Sequence, residues 1–390
     1  MIHIPLMSEI THWAKTAPPK PAASVPDESP TWRPDIDGLR GIAVLSLMAV
    51  HMFPSWGRGG GLIGLDMFLV ISGFLITSQL LGAHAGGHID LPSFYARRIQ
   101  RIVPSLCLVL LFCIAFSWLF ISPGDALQTG KQVASMANLG GESAPLLHLG
   151  ALAFQVQFYL VWPTVVAWLL RSGRSVVVVV CALLILSLLL PSRAWELMVG
   201  ALLACMTARG SAGGMAWLRT ELVRSPTVRR HVPDVLAWTG VGLLGTSLWR
   251  IDGSSHLPGW WALLPTMGTF ALLASGSKAA INRRLLSHPV LRFYGTISYP
   301  LYLWHWPLLA FLVLMGIPLT QELRITILIA SVVLAALTCE LLEKPARSFG
   351  TVRYAPLALL GVLAATGALG WLLMHTEGLL LTGGITVQPD

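Results

Sequence analysis

Arg40 and His51 stand eleven residues apart in one apolar segment, close to three turns of a helix, so the two side chains share a face about 16 Å apart along its axis. Ionisable groups inside a membrane span are costly and usually mark a site. A neutral imidazole at His51 could take a proton from an attacking hydroxyl and return it to a leaving thiolate, as acyl transfer requires. It could equally be a packing histidine bonded to a neighbour's backbone. Asp66 enters the next apolar run, where it would pair with a cation, accept from a histidine and steady its imidazolium, or cap a helix near the outer surface. Arg97, Arg98 and Arg101 follow, at i, i+3 and i, i+4 spacings that gather three guanidinium groups on one helical surface. Arginine binds phosphate through paired donors, and three together suit a pyrophosphate or a 3′-phosphate. The competing reading is anchoring against anionic lipid.

The elements that must carry these residues are membrane helices. Hydrophobic residues make up 55% of the chain and charged residues 11%, too little polar surface for a water-soluble globule. Eleven apolar segments approach the roughly 20 residues a span needs. They centre on Ala43, Val70, Leu110, Leu160, Leu183, Gly200, Val241, Ala271, Leu303, Ala330 and Val362. The expected fold is an all-α, polytopic bundle of about 10–11 transmembrane helices, in which Pro191 separates either two spans or a re-entrant pair. Residues 1–32 read as a disordered cytoplasmic tail, 33–376 as one membrane domain and 377–390 as a short extracytoplasmic tail.

Basic residues accumulate on the cytoplasmic side of a membrane. With the N-terminus inside, all of the 26 except Arg58, Lys131, Arg193, Arg250 and Arg324 fall there. The net charge of +8 is thus a topology signal, and no nucleic-acid partner is expected. The five cysteines lie in or beside apolar segments without metal-ligand spacing, so they read as small packing residues and no metal site is expected.

Several blocks together resemble the acyltransferase-3 family of integral membrane O-acyltransferases. They are Arg33 to Val44 with His51, Gly64 to Leu75, Arg97 to Pro104, Arg193-Ala194-Trp195-Glu196-Leu197 with Gly200, Leu263 to Gly268, Gly295 to Pro307 and Glu343 to Arg347. The resemblance implies an enzyme of the bacterial inner membrane. It would bind no cofactor but take acetyl-CoA or another acyl-CoA as co-substrate from the cytoplasm, and pass the acyl group to a hydroxyl of a cell-surface or exported glycan. On that footing Arg40 and His51 match the family's Arg and His of the first helix, and Arg97, Arg98 and Arg101 match its donor-phosphate group; His51 would be the general base, helped by Asp66 or Arg40. Arg193 and Glu196 at i, i+3 would form an ion pair orienting a helix entrance, or with Trp195 touch donor or acceptor. His305, between Trp304 and Trp306, is either a second ionisable group of the site or part of an aromatic anchor.

Two departures stand out. Where the family carries Trp-Ser ahead of a Glu, this chain has Gly150, Ala151 and Gln155, and an amide can neither hold a charge nor act as a base. The segment Ser122 to Pro145 and the Pro191 turn look short. The chain also stops at Asp390, where fused members continue into an SGNH domain, so such a partner would have to be separate. A weakened or partner-dependent relative is therefore the alternative to an active transferase. A lipid-linked sugar transporter is a third reading, disfavoured because no inverted repeat is evident.

Overall fold

The computed structural model describes residues 33–53, 63–87, 89–120, 149–190, 192–208, 226–250, 260–348 and 354–375. The tails expected at 1–32 and 377–390, the segment Ser122 to Pro145 and Pro191 lie outside them. Among the described residues all regular structure is helical. The helices are α1 Pro34–Met52, α2 Ile63–Ala85, α3 Leu91–Phe120, α4 Leu149–Arg171, α5 Val176–Leu189, α6 Ala194–Thr207, α7 Pro226–Arg250, α8 Leu263–Ser275, α9 Pro289–Thr296, α10 Ser298–Leu314, α11 Gln321–Thr338, α12 Lys344–Ser348 and α13 Ala355–His375.

Among the described residues, four stretches are long and apolar enough to cross a membrane by themselves: α2, α3, α11 continued through α12, and α13. A fifth is possible as a bent pair, α9 and α10, which meet at 67°. Three of the remaining helices fall outside that group for physical reasons. α1 carries Asp35, Asp37 and Arg40, which dilute its hydropathy. α5 and α6 are 14 residues each, about 21 Å of helix, short of a 30 Å hydrocarbon core. These two short helices pack against one another.

Outward faces of α5, α7 and α13 carry exposed large apolar side chains such as Ile185, Leu189, Trp238, Leu357 and Leu360, the inverse of a water-soluble surface and the expected face toward lipid. Inside, small residues set the close approaches. A Cβ at Gly73 of α2 would fall on the Leu197 carbonyl of α6, and one at Gly200 of α6 on the Val70 carbonyl of α2. The two backbones therefore touch, as small residues allow where no hydrophobic force drives helices together. α1 is seated the same way on α9, where Gly41 meets Leu291 and Gly295 meets Asp37.

Gly200→Val is expected to drive a side chain into α2 backbone and cost about 1–3 kcal/mol or more by overpacking. Gly242→Ala, at a position with no neighbour within 4 Å, should be neutral. Thermal melts of the detergent-solubilised proteins check the contrast.

The start of α1 is pinned by a buried polar knot. Arg33 pairs with Asp35 and donates from Nη1 to the Leu273 carbonyl at the end of α8, 3.1 Å away. Asn282 Nδ2 donates to Asp35 at 3.0 Å and to the Leu272 carbonyl at 2.9 Å. Asn282 opens the π-helical turn Asn282–Leu286, and Gly38 lets α1 lie against the Leu286 carbonyl. These bonds fix the axial height of α1, and with it of Arg40 and His51.

Candidate functional site

Each functional side chain gets its place from the helix that carries it. α1 ends at Met52 because Pro54 follows, and a residue before proline is disfavoured in the helical region; Phe53 has φ −131° and ψ 67°. His51 accordingly sits in the last turn of α1, half-buried. Across from it α10 presents His305, fully buried. His51 Nδ1 and His305 Nε2 are 3.1 Å apart. The ring planes differ by 11° and the centroids lie 5.3 Å apart, longer than the N–N distance by about two ring radii, so the rings meet edge to edge in one plane. An in-plane N–H···N bond has this shape.

The proton positions in this pair follow from its neighbours. His305 Nδ1 lies 2.8 Å from the Tyr302 carbonyl oxygen and 3.2 Å from that of Leu301. Carbonyl oxygens only accept, so Nδ1 holds the hydrogen and Nε2 of the neutral ring holds a lone pair. That lone pair accepts from His51 Nδ1–H, which leaves the lone pair of His51 on Nε2, at the far side of its ring. Trp306 packs edge-on against His51, with centroids 4.8 Å apart, and limits ring rotation.

Asp66 takes a different place from the one beside a histidine. Gly64 of α2 lies against the Ala43 carbonyl and Ser46 of α1, five residues or about 8 Å of rise below His51, and Asp66 is lower still as α2 runs the other way. Its side chain, 1% exposed, is ion-paired with Arg193. Arg193 also donates to Glu196, from Nε at 3.1 Å and Nη2 at 3.2 Å. The i, i+3 pair expected from sequence is thus one half of a three-residue knot at the N-terminus of α6. Trp195 is buried in a small apolar cluster with Val199 and Ala262, a packing position.

The arginines also regroup. Arg97 is exposed on α3, whereas Arg98 and Arg101 are partly buried. Arg98 Nη2 donates to Gln79 Oε1 of α2 at 2.9 Å, and its guanidinium carbon lies 5.4 Å from the ring centroids of both Phe94 and Tyr159. Arg40 joins them: Arg101, Arg98 and Tyr159 all lie in its electrostatic range. Arg40 Nη2 also donates to Ser298 Oγ at 2.8 Å, and Ser298 donates on to the Gly295 carbonyl at 2.8 Å. One guanidinium thereby spans the break between α9 and α10. The inward cationic group is Arg40, Arg98 and Arg101, with Arg97 outside it.

Beside this group Gln155 and Tyr159, one turn apart on α4, meet Ser72 of α2. Gln155 Nε2 donates to Ser72 Oγ and, at 2.5 Å, to Tyr159 OH, and the two hydroxyls are 3.0 Å apart. The amide at this position is fully engaged as a donor. Tyr159 hands the contact on to Arg98 through its ring.

The fold and these groups define an all-helical integral membrane protein with a tautomer-fixed histidine pair about 16 Å along α1 from an inward arginine group. The chain belongs to the acyltransferase-3 family: its profile, described as an acyltransferase domain, matches residues 33–344. It is 29% identical over 367 residues to the peptidoglycan O-acetyltransferase OatA of Listeria monocytogenes, covering 82% of this chain and 57% of the relative. It is 27% identical over 363 residues to the putative peptidoglycan O-acetyltransferase YrhL of Bacillus subtilis, covering 81% and 55%. The O-acetyltransferase OatA of Staphylococcus aureus is 26% identical over 369 residues, covering 84% and 59%. The chain thus spans between half and two-thirds of the length of these relatives. No solved structure matches it.

Sequence reasoning flagged His51 and His305 separately but missed their bond, and it missed Ser72 and Tyr159 as partners of Gln155. The signal for the first was present in the run Trp304-His305-Trp306, an ionisable residue deep in an apolar segment.

Proposed function

We propose that the chain is an acyl-CoA-dependent O-acyltransferase that moves an acetyl group to a hydroxyl of a cell-surface carbohydrate, with peptidoglycan the foremost candidate acceptor. Family membership and the names of the relatives support the reaction class and the acceptor. The distribution of basic residues supports a bacterial cytoplasmic-membrane location with the N-terminus inside.

In this reading Arg98, Arg101 and Arg40 hold the donor phosphates from the cytoplasmic side, and an extended pantetheine arm bridges the rise to His51. His51 Nε2 accepts the proton of the acceptor hydroxyl as its oxygen attacks the thioester carbonyl. The tetrahedral intermediate collapses, the C–S bond breaks, and His51 returns the proton to the departing thiolate. His305 holds the His51 tautomer, and through its bond to the Tyr302 carbonyl it cannot itself swing away. Asp66, Arg193 and Glu196 then serve the site from a distance, by fixing α6 against α2. The observation that carries the reading is the His51–His305–Tyr302 hydrogen-bond chain, because it leaves one defined lone pair on a half-buried base. The test is the O-acetyl content of cell-wall glycan in bacteria with the chain, without it, and with His51→Ala: acetylation should follow the parent alone.

Gln155, where the resembled family carries a Glu, raises a second reading: a transferase weakened at this position or dependent on a separate SGNH-type partner. Its saturated bonds to Ser72 and Tyr159 support an amide selected for its two hydrogens. Gln155→Glu is therefore expected to lower turnover several-fold, because the carboxylate forces both hydroxyls to turn and sets a negative charge beside Tyr159 and Arg98. A large gain in initial rates with acetyl-CoA would instead favour the weakened site.

A further inference from the structure

Arg324 takes no part in the reaction described above, yet it ties the end of α1, which carries His51, to the connection that follows α10, which carries His305. α1 stops at Met52, one residue past His51, and its final carbonyls have no helical partner and carry the negative end of the helix dipole. Arg324 Nη1 donates to the Met52 carbonyl at 2.9 Å. Its Nε donates to the Leu319 carbonyl at 3.1 Å, in the connection between α10, which bears His305, and α11, which bears Arg324. The side chain is partly buried, above an apolar cluster of Met52, Phe53, Leu309 and Ile327. That cluster alone fixes no axial register, because apolar contacts are non-directional. The planar fork of arginine, with donors at two fixed angles, does fix one.

We propose that Arg324 is a positioning residue for the His51–His305 pair: by clamping the end of α1 to the α10–α11 connection it holds the two imidazoles at bonding distance and in one plane. The proposal rests on the general-base reading of His51. It predicts a particular kinetic signature. Donor phosphates bind at the other end of α1, so loosening the clamp leaves acetyl-CoA binding untouched while the base loses its alignment. Small displacements of reacting groups are costly in rate, and Arg324→Met should lower kcat by on the order of tenfold with the KM for acetyl-CoA unchanged. Arg324→Lys keeps the charge and one donor but not the fork, and should fall between parent and Met.

The experiment measures transfer from radiolabelled acetyl-CoA to peptidoglycan disaccharide by the full chain in proteoliposomes, for parent, Arg324→Lys, Arg324→Met, His51→Ala and the Arg324→Met/His51→Ala double variant. The expected result is kcat falling in the order parent, Lys, Met at constant KM and constant melting temperature, with Arg324→Met adding nothing once His51 is gone. Should Arg324→Met not accumulate as folded protein, Arg324→Lys decides: a lowered kcat at parental KM supports the clamp and a parental kcat overturns it. An inactive His51→Ala beside parental kcat in both Arg324 variants, or a raised KM with unchanged kcat, overturns the clamp but leaves the base assignment standing. Full activity of His51→Ala removes both.

Discussion

His51→Ala is expected to lower acetyl transfer by about 10²–10⁴-fold, the contribution of a positioned general base, while the protein inserts and melts as the parent does. The stability expectation follows from its place: His51 is half-buried in the last turn of α1, and its hydrogen bond to His305 contributes only about 0.5–1.5 kcal/mol net. His305 gives the informative comparison. His305→Gln keeps an acceptor near His51 Nδ1 but gives up the planar ring bond, so turnover should fall by less than in His51→Ala. His305→Phe removes the acceptor, frees the Tyr302 carbonyl and releases the His51 tautomer, so it should fall further than the Gln variant. Initial rates at saturating acetyl-CoA, taken beside melting temperatures, separate this order from simple unfolding. If His305→Phe were as active as the parent, the hydrogen-bond chain would have no part in the reaction.

The second large effect concerns the donor. Hydrogen bonds to charged groups contribute about 1.5–3 kcal/mol, so Arg98→Ala and Arg101→Ala should each raise the KM for acetyl-CoA by roughly one to two powers of ten. If these arginines hold the donor phosphates as proposed, the bonds would form equally in the ground and transition states, and kcat should change little. Arg97→Ala should leave both constants near parental, since Arg97 is exposed, whereas Arg98 is partly buried against Gln79 and Tyr159. Arg40→Ala should raise KM and also lower folded yield, as it removes the bond to Ser298 that bridges the α9–α10 break. Equal losses for Arg97 and Arg98 would mean the run acts through bulk charge at the lipid surface instead.

These contrasts show where the sequence was readable. Spacing along one helix placed Arg40 and His51 on a common α1, and the i, i+3 spacing of Arg193 and Glu196 gave an ion pair that the structure contains. Composition gave the all-helical membrane class. What spacing cannot give is which helix faces which. His51 and His305 are 254 residues apart in the chain, and their meeting depends on the seating of α1 against α9 at Gly41 and Gly295. Asp66 was legible as a buried acid needing a partner, but the height of α2 beside α1, set at Gly64 and Ala43, decided that the partner is Arg193. The three clustered arginines were legible as a group, yet their burial was not: Arg97 is exposed on α3, and Arg40 approaches the other two from another helix. Helix length was the weakest inference, because α5 and α6 each fall short of the membrane although their apolar runs look continuous across a single turn.

The measurement that bears most directly on the central claim is hydrolysis and transfer of radiolabelled acetyl-CoA by the purified chain in liposomes. It is run beside His51→Ala and an Arg40→Ala/Arg98→Ala/Arg101→Ala variant. A CoA-dependent transferase built on this site releases or transfers label in the parent, retains acetyl-CoA binding without turnover in His51→Ala, and loses binding in the arginine variant. Turnover by His51→Ala at the parental rate would contradict it.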